Sequence, residues 1–152
     1  TTLNIPHPYE DGLAEEWIES HRQQFAEGRA ATFAVVLKST GPGLLVGAMG
    51  LEITPRFSRA EIGYWIGREY WGQGYCTEAA RAVLRYAFEE RGLHKVTGSH
   101  LARNPASGRV MEKMGMTREG YLREHVRKGD RYEDLVVWGI LRSDWDALQT
   151  RS

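Results

Sequence analysis

The segment AEIGYWIGREYWGQGYCTEAA, residues 60–80, decides the fold of this 152-residue chain. Its first part, Ala60 to Ile66, has the composition of a β-strand, and a helix is predicted from about Thr77 to Arg91. The apolar stripe of that helix consists of Ala80, Val83, Leu84, Ala87 and Phe88. Gly92 ends the helix, and His94 to Ala102 is the next strand. A strand, a crossover helix and a second strand form a right-handed unit, so the two strands are predicted to be parallel.

Upstream of this unit the sequence predicts one helix and two strands. Asp11 to Glu27 is the helix, with apolar residues at helical spacing at Leu13, Trp17, Ile18 and Phe25. Ala31 to Lys38 and Leu44 to Ile53 are strands, joined by a turn at Ser39-Thr40-Gly41-Pro42-Gly43. Thr54 to Arg59 is predicted to be a polar loop.

Downstream, a short helix is predicted from Pro105 to Met114. Asn104 stands at its N-cap, Pro105 at its first position and Gly115 just past its end. The remaining segments are the strands Thr117 to Arg127 and Arg131 to Leu141, joined by Lys128-Gly129-Asp130, and a tail, Ser143 to Gln149, of one or two helical turns. With no repeat or linker in the chain, residues 1–152 are predicted to form a single α+β domain with a mixed sheet.

The composition narrows the function. Lys plus Arg number 20, and Asp plus Glu also number 20, so the formal net charge is zero. This balance argues against a generic nucleic-acid-binding protein, which normally has an excess of basic residues. Cys76 is the single cysteine, which excludes an intrachain disulfide and a multi-cysteine zinc site. The five histidines lack HxxxH or HxH spacing, so no metal is expected. Without an 18-residue apolar run or a signal-peptide core, we expect a cytoplasmic protein that engages no membrane.

The loop from Glu69 to Cys76 lies between a predicted strand and a helix N-terminus. Glycine lets the backbone pass close to a ligand, and the unpaired N–H groups of a helix start favour an anion. The loop is therefore a candidate phosphate cradle, although G-x-G at such a position is also often only a tight turn. It is neither a Walker A loop nor a full GxGxxG motif.

Two linked motifs resemble a known family. Residues 60–66, Trp71-Gly72-Gln73-Gly74-Tyr75 and Thr77-Glu78-Ala79 resemble the acetyl-CoA motif of GNAT acetyltransferases. Asn104-Pro105-Ala106-Ser107 and Val110-Met111-Glu112-Lys113-Met114-Gly115-Met116 are similar to the second conserved segment of that family. Both are especially similar to the branch that contains RimJ and RimL, which acetylate the N-termini of ribosomal proteins. The resemblance runs from about Thr32 to Leu141.

The resemblance implies a GNAT-type mixed, splayed sheet with a central parallel βαβ unit and flanking helices, and acetyl-CoA as cosubstrate without a metal. It places the CoA pyrophosphate on the backbone amides from Trp71 to Thr77 and the pantetheine arm along Tyr64 to Ile66, like an added strand. The thioester then lies near Ser107, and a backbone N–H of the third strand is a candidate donor to the oxyanion. The implied binding residues are Tyr64, Trp65, Ile66, Trp71, Gly72, Gln73, Gly74, Tyr75, Cys76, Thr77, Asn104, Ser107 and Met111.

Two side chains are candidates for catalysis. The resemblance to RimL implies that Ser107 protonates the CoA thiolate as it leaves. The alternative interpretation is that Ser107 is only a polar residue in the first turn of a helix, where it hydrogen-bonds to backbone groups. Asn104 is either an ordinary cap, a pantetheine contact or both. Glu61 is the leading general base, acting directly or through a water, because a carboxylate in an internal strand is costly if unpaired. Its alternative is an edge-facing or salt-bridged residue.

Other candidates for these roles stay open. Glu124 and His125 are alternative bases on a later strand. The glutamate expected in that region from RimL aligns with Val126, so that role is not carried over. Cys76 could carry the acetyl group, since a helix N-terminus lowers a thiol pKa, but a small spacer residue is the favoured interpretation. Trp71 and Tyr75 are interpreted as packing residues beside the cradle.

The sequence departs from the family at two places. Glu69 stands where Gln or Arg is frequent, and the chain lacks the strand and helix that normally precede the region of Pro6-His7-Pro8-Tyr9. Either that start is absent from this sequence or a neighbour supplies it, which makes a homodimer a candidate assembly. The expected function is direct attack by an amine in a ternary complex, the acceptor being the α-amino group of a protein N-terminus, such as that of a ribosomal protein. A small amine (polyamine, amino acid or drug) and a non-catalytic acyl-CoA-binding module are the alternatives.

Overall fold

Six strands and four helices make up the secondary structure of residues 13–38 and 43–151, which a computed structural model describes. The helices are α1 (Leu13–Ala26), α2 (Tyr75–Arg85), α3 (Pro105–Lys113) and α4 (Arg142–Thr150). The strands are β1 (Ala30–Leu37), β2 (Leu44–Thr54), β3 (Arg59–Ile66), β4 (Lys95–Leu101), β5 (Thr117–Lys128) and β6 (Arg131–Leu141). The predicted α+β class is confirmed.

One mixed sheet contains all six strands in the order β1-β2-β3-β4-β6-β5. Its neighbours are antiparallel except for β3 and β4, which run parallel on either side of the crossover helix α2. The parallel pairing begins at Arg59 opposite Lys95 and ends at Ile62 opposite Gly98. Because β3 continues to Ile66 and β4 to Leu101, the two strands separate beyond that point. The sheet is therefore splayed at its centre, as the resemblance implied.

The core lies between the sheet and α2. The predicted apolar stripe of α2 is buried throughout: Ala80, Val83, Leu84, Ala87 and Phe88. It packs against alternate residues of the central strands, which are Met49, Leu51, Ile53, Ala60, Ile62 and Val96. Each large apolar side chain buried in this way contributes roughly 1.5–3 kcal/mol of transfer free energy. This packing fixes α2, and with it the loop that precedes the helix, against β3.

The ends of several elements differ from the predicted ones. Helix α2 begins at Tyr75 rather than Thr77, and its last turn, Tyr86–Glu90, is π-helical, so that the Arg91 N–H bonds to the carbonyl of Tyr86 at 3.0 Å. The loop after β2 contains a short 3₁₀ turn, Pro55–Phe57. Residues 39–42 of the predicted turn, and the region of residues 6–9, lie outside the described residues.

Two glycines end helices as predicted. Gly92 follows α2 with φ 61°, and Gly115 follows α3 with φ 87°. This left-handed backbone conformation is unfavourable for residues that have a Cβ atom, which explains why glycine stands at both ends. None of the helices in residues 13–38 and 43–151 is long and apolar enough to cross a membrane.

Candidate active site

The gap between β3 and β4 exposes one edge of β3. Tyr64 and Ile66 still pair with Met49 and Gly47 of β2, but neither of them is paired with a residue of β4. The phenol of Tyr64 donates a hydrogen bond of 3.1 Å to the backbone carbonyl of Ser107. Burial raises the pKa of Tyr64, so its hydroxyl stays protonated and remains a donor. One tyrosine therefore connects β3 to the start of α3 across the gap.

The glycine loop has the backbone geometry of an anion cradle. Gly72 and Gly74 have φ values of 73° and 83°, and a Cβ built on either would meet no atom within 4 Å. Gly74 is the N-cap of α2, and no side chain caps the helix there. The first N–H groups of α2 therefore have no side-chain partner, and the positive end of the helix dipole favours a phosphate there.

The side chains of the loop bond to its own backbone. The indole N–H of Trp71 donates to the carbonyl of Ile66 at 2.7 Å, and the amide of Gln73 donates to the carbonyl of Glu69 at 3.2 Å. Trp71 is 59% exposed, so its interpretation as a packing residue is wrong. Its hydrogen bond to β3 holds the indole at the loop surface instead, with the Arg68 guanidinium 5.9 Å from the ring centroid.

Cys76 lies in the first turn of α2 and packs against the core. Burial raises the pKa of its thiol to about 11. A helix N-terminus usually lowers this value, but desolvation is the larger effect here. The thiol is protonated at neutral pH, which fits the favoured interpretation of Cys76 as a small spacer rather than an acetyl carrier.

Asn104 and Ser107 contact each other at the start of α3. The Asn104 side-chain amide donates to the Ser107 hydroxyl oxygen at 3.1 Å. Asn104 occupies the predicted N-cap position, but its side chain makes no hydrogen bond to a backbone N–H of the helix. The expectation of ordinary capping is therefore wrong, because the neighbouring hydroxyl is the partner of the amide. Ser107 is half-buried beside the gap, with its carbonyl held by Tyr64.

Glu61 lies on the opposite face of the sheet from the core. Its side chain is exposed and accepts a hydrogen bond of 3.1 Å from the Ser99 hydroxyl. The carboxylate avoids the cost of burial in this internal strand, because α2 covers only the other face of β3, where Ala60 and Ile62 are buried. Glu52 of β2 stands directly opposite Glu61 in the antiparallel register. Two carboxylates are thus neighbours on one open face.

A cleft of about 350 Å³ runs over this open face, and we call it the open-face cleft. Its polar members include Glu52, Glu61, Thr97, Ser99 and His125, and its apolar floor includes Leu122, Leu135 and Val137. Of the two alternative bases, His125 lines the cleft, whereas Glu124 does not. Arg59 also lines the cleft, which therefore holds acidic, hydroxyl, imidazole and guanidinium groups together. Such a cleft can bind a hydrogen-bonding ligand, an ammonium group included, and accept a proton from it.

A bulge in β5 brings His125 to the cleft, and the sequence interpretation missed it. The register shifts between Leu122 and Val126, and Glu124 has φ 48°. The Asp134 carboxylate accepts hydrogen bonds from the Glu124 N–H at 2.7 Å and the Tyr121 hydroxyl at 2.5 Å. The signal in the sequence is the polar run at residues 123–125, which breaks the alternation expected of a strand.

The structure thus divides the predicted site residues between two places. Tyr64, Asn104, Ser107 and the glycine loop surround the gap, whereas Glu61 lies on the open face. Met111 is 1% exposed and packs near Gly98 in the core, so its contact with a ligand stays a prediction. Within the described residues, no cluster of three His, Cys, Asp or Glu side chains is arranged to hold a metal ion.

Comparison with known proteins agrees with this geometry. Residues 1–117 match the family described as acetyltransferase (GNAT) domain. The chain is 38% identical over 86 residues to the N-acetyltransferase YnaD of Bacillus subtilis. This match covers 57% of this chain and 51% of that protein. It is 27% identical over 89 residues to the [ribosomal protein uS5]-alanine N-acetyltransferase of Escherichia coli, covering 59% of this chain and 46% of that enzyme. Both matches span about half the length of the relative.

A solved structure extends the likeness to most of the fold. The crystal structure of spermidine N-acetyltransferase from Vibrio cholerae, in complex with CoA and spermine, superposes with a TM-score of 0.77 at 27% identity. The superposition covers 92% of this chain and 80% of that one. The likeness therefore extends over most of the chain.

Proposed function

The chain belongs to the GNAT acetyltransferase family, in which acetyl-CoA is the acyl donor, and we propose that it acetylates the α-amino group of a protein N-terminus. The observation that carries this proposal is the placement of the open-face cleft beside the gap between β3 and β4. A donor in the gap and an amine in the cleft approach the same strand from different sides. This arrangement permits direct attack in a ternary complex.

The residues at the gap fit acetyl-CoA. The unpaired edge of β3 at Tyr64 to Ile66 offers hydrogen bonds to the two amides of pantetheine, and the free amides after Gly72 and Gly74 suit its pyrophosphate. The bound donor supplies an acetyl thioester. A backbone N–H at the open edge of β3 is placed to stabilise the carbonyl oxygen as it gains charge.

Ser107 is the proposed acid of the reaction. Its hydroxyl oxygen already accepts a hydrogen bond from Asn104, so its own proton is free to be donated to the sulfur as the carbon–sulfur bond breaks. Its backbone carbonyl is held by the Tyr64 hydroxyl, which fixes the first turn of α3. Burial keeps the Cys76 thiol protonated, so this thiol does not compete with the amine as a nucleophile.

Glu61 is the proposed base. The amine must be neutral to attack, and an α-amine with a pKa of about 8 needs less help than a lysine of about 10. The Glu61 carboxylate is exposed, and Ser99 orients it within the open-face cleft. It can take a proton from the incoming ammonium group directly or through a water. The open cleft can also receive a polypeptide end more readily than a closed pocket.

One observation favours a second candidate acceptor, a polyamine. Glu52 and Glu61 are directly opposite each other, and like charges in this arrangement repel unless a cation lies between them. A spermidine-like amine would satisfy both carboxylates. The similarity to the spermidine enzyme is compatible with this alternative.

A panel of acceptors distinguishes the two candidates. Purified protein with acetyl-CoA is offered peptides with free Ala, Ser or Thr N-termini, the same peptides with blocked N-termini, and spermidine, and thiol release is followed. We expect release with free N-termini and none with blocked ones, and mass spectrometry should locate the acetyl group on the α-nitrogen. Turnover of spermidine alone would favour the second candidate. Donor binding without turnover of any amine would overturn both.

A further inference from the structure

The bulge in β5 has an unusual relation to β6. Leu122 pairs with Leu135 and Val126 pairs with Glu133, so three residues of β5 stand opposite the single residue Asp134. On β6, Asp134 alone lacks a paired residue between Glu133 and Leu135. The extra residues of the bulge therefore belong to β5, and they lie opposite Asp134 of β6.

Asp134 holds this bulge through both of its carboxylate oxygens. Oδ1 accepts the Glu124 N–H at 2.7 Å, and Oδ2 accepts the Tyr121 hydroxyl at 2.5 Å. Glu124 has φ 48°, a left-handed conformation that residues with a Cβ atom adopt only when their surroundings fix it. The bond from Asp134 to the backbone of Glu124 is such a constraint.

The bulge decides which face of the sheet His125 occupies. In a regular strand, side chains alternate, so that Leu122 and His125, three positions apart, would point to opposite faces. In this structure both residues line the open-face cleft. The two additional residues of the bulge, together with the left-handed backbone at Glu124, are what bring His125 to the face that carries Glu61.

We propose that Asp134 is a positioning residue that directs His125 into the open-face cleft, where the imidazole contacts the amine acceptor. The role rests on the proposed function, because the cleft is the proposed acceptor site. None of the residues proposed to hold acetyl-CoA lies on β5 or β6. Loss of Asp134 therefore weakens the use of the acceptor and leaves binding of acetyl-CoA unchanged.

A double-mutant cycle tests this role with the best acceptor of the panel above. We expect Asp134→Ala and His125→Ala each to raise the KM for the acceptor about tenfold, because a small displacement of a binding group is costly. The KM for acetyl-CoA should change by less than about twofold. If Asp134 acts through His125, the double variant should be no worse than His125→Ala. Equal effects of Asp134→Ala in both backgrounds would overturn the proposal.

Two further variants separate positioning from general loss of stability. Asp134→Asn keeps an oxygen for the Glu124 N–H and should restore much of the acceptor affinity. Asp144→Ala is the matched control, because that carboxylate also accepts a backbone N–H, from Leu141 at 3.0 Å, but it lies at the other end of β6. An equal rise of the acceptor KM in Asp144→Ala would contradict the positioning role.

Nuclear magnetic resonance tests whether Asp134 positions His125, and it does so independently of turnover. In Asp134→Ala we expect faster hydrogen exchange of the Glu124 amide and altered ring signals of His125, and neither change in Asp144→Ala. Unaltered His125 signals in Asp134→Ala would overturn the positioning role even if the enzyme is active. The unmodified protein could show no turnover while Asp134→Ala shows the expected signal changes. That result would overturn the contact of His125 with an amine acceptor, and the control of the bulge by Asp134 would stand.

Discussion

The side-chain amide of Asn104 donates to the hydroxyl oxygen of Ser107, so the two polar groups at the start of α3 satisfy each other. The hydroxyl oxygen is occupied as an acceptor, and its proton is left to be donated elsewhere. The Tyr64 phenol holds the carbonyl of the same serine. Ser107 is thus fixed at two atoms at the edge of the gap.

Ser107→Ala should lower kcat about a hundredfold, because a positioned general acid contributes on this scale. The KM for acetyl-CoA should hardly change, since the backbone of Ser107 still accepts the Tyr64 hydroxyl. Asn104→Ala should lie between this variant and the unmodified protein, because the hydroxyl remains but loses its orientation. Steady-state kinetics over both substrates measure the effects. A Ser107→Ala enzyme with full kcat would exclude the acid role.

Gly74→Ala should weaken acetyl-CoA binding about tenfold or more, because φ 83° is unfavourable for alanine and the loop must change shape. Gly92→Ala is the matched control, since Gly92 also has a positive φ but ends α2 at the far side from the loop. Both variants should lose about 1 kcal/mol of unfolding free energy. Urea unfolding measures that loss, and calorimetry measures affinity for acetyl-CoA. Equal affinities in the two variants would argue against the cradle.

Cys76 should be nearly inert toward iodoacetamide at pH 8, because a thiol pKa of about 11 leaves about a hundredfold less thiolate than the ordinary value of 9.0. The folded pKa is raised, so the stabilising effect of the neutral thiol is complete below pH 9 and is lost as pH rises toward 11. Cys76→Ala should therefore keep kcat, and its stability should decline less between pH 9 and 11. Urea unfolding across that range tests the sign. Rapid alkylation of the folded protein at pH 8 would contradict it.

Glu61→Gln should lower kcat/KM for the acceptor at pH 7 by about ten- to a hundredfold, because the amide cannot take the ammonium proton. The deficit should shrink above pH 8, where an α-amine is already largely neutral. Glu52→Gln is the control on the same face and should raise the acceptor KM while sparing kcat. Pseudo-first-order assays over pH 6–9 distinguish the two variants. A larger loss of kcat in Glu52→Gln would indicate that Glu52 of β2, rather than Glu61, is the base.

Local chemistry explains why much of the fold could be predicted. Gly92 and Gly115 mark helix ends because their left-handed backbone is rare in other residues. The parallel pairing of β3 and β4 followed from the crossover helix between them, whose apolar stripe is visible in the sequence. The Gly72–Gly74 loop could be placed for the same reason, since a strand precedes it and a helix follows.

The misplaced features depend on contacts between distant segments. The sequence places Glu61 in an internal strand, but strand order does not say which face of a sheet is left uncovered. The β5 bulge depends on the bond from Glu124 to Asp134 on another strand, and no local rule contains that pair. Asn104 has the sequence of a cap, but its amide has a closer partner in Ser107.

The parallel ladder at the centre of the sheet is short, which makes the stability of the fold sensitive to what lies in the gap. Only the four residue pairs from Arg59–Lys95 to Ile62–Gly98 join β1-β2-β3 directly to β4-β6-β5 in the described residues. A pantetheine arm lying in the gap would lengthen that ladder and bind the native chain but not the unfolded one. Such a ligand at a hundredfold excess over its Kd adds about 2.7 kcal/mol to the unfolding free energy. The unfolding free energy would then rise with the concentration of any ligand that carries the pantetheine arm, free CoA included.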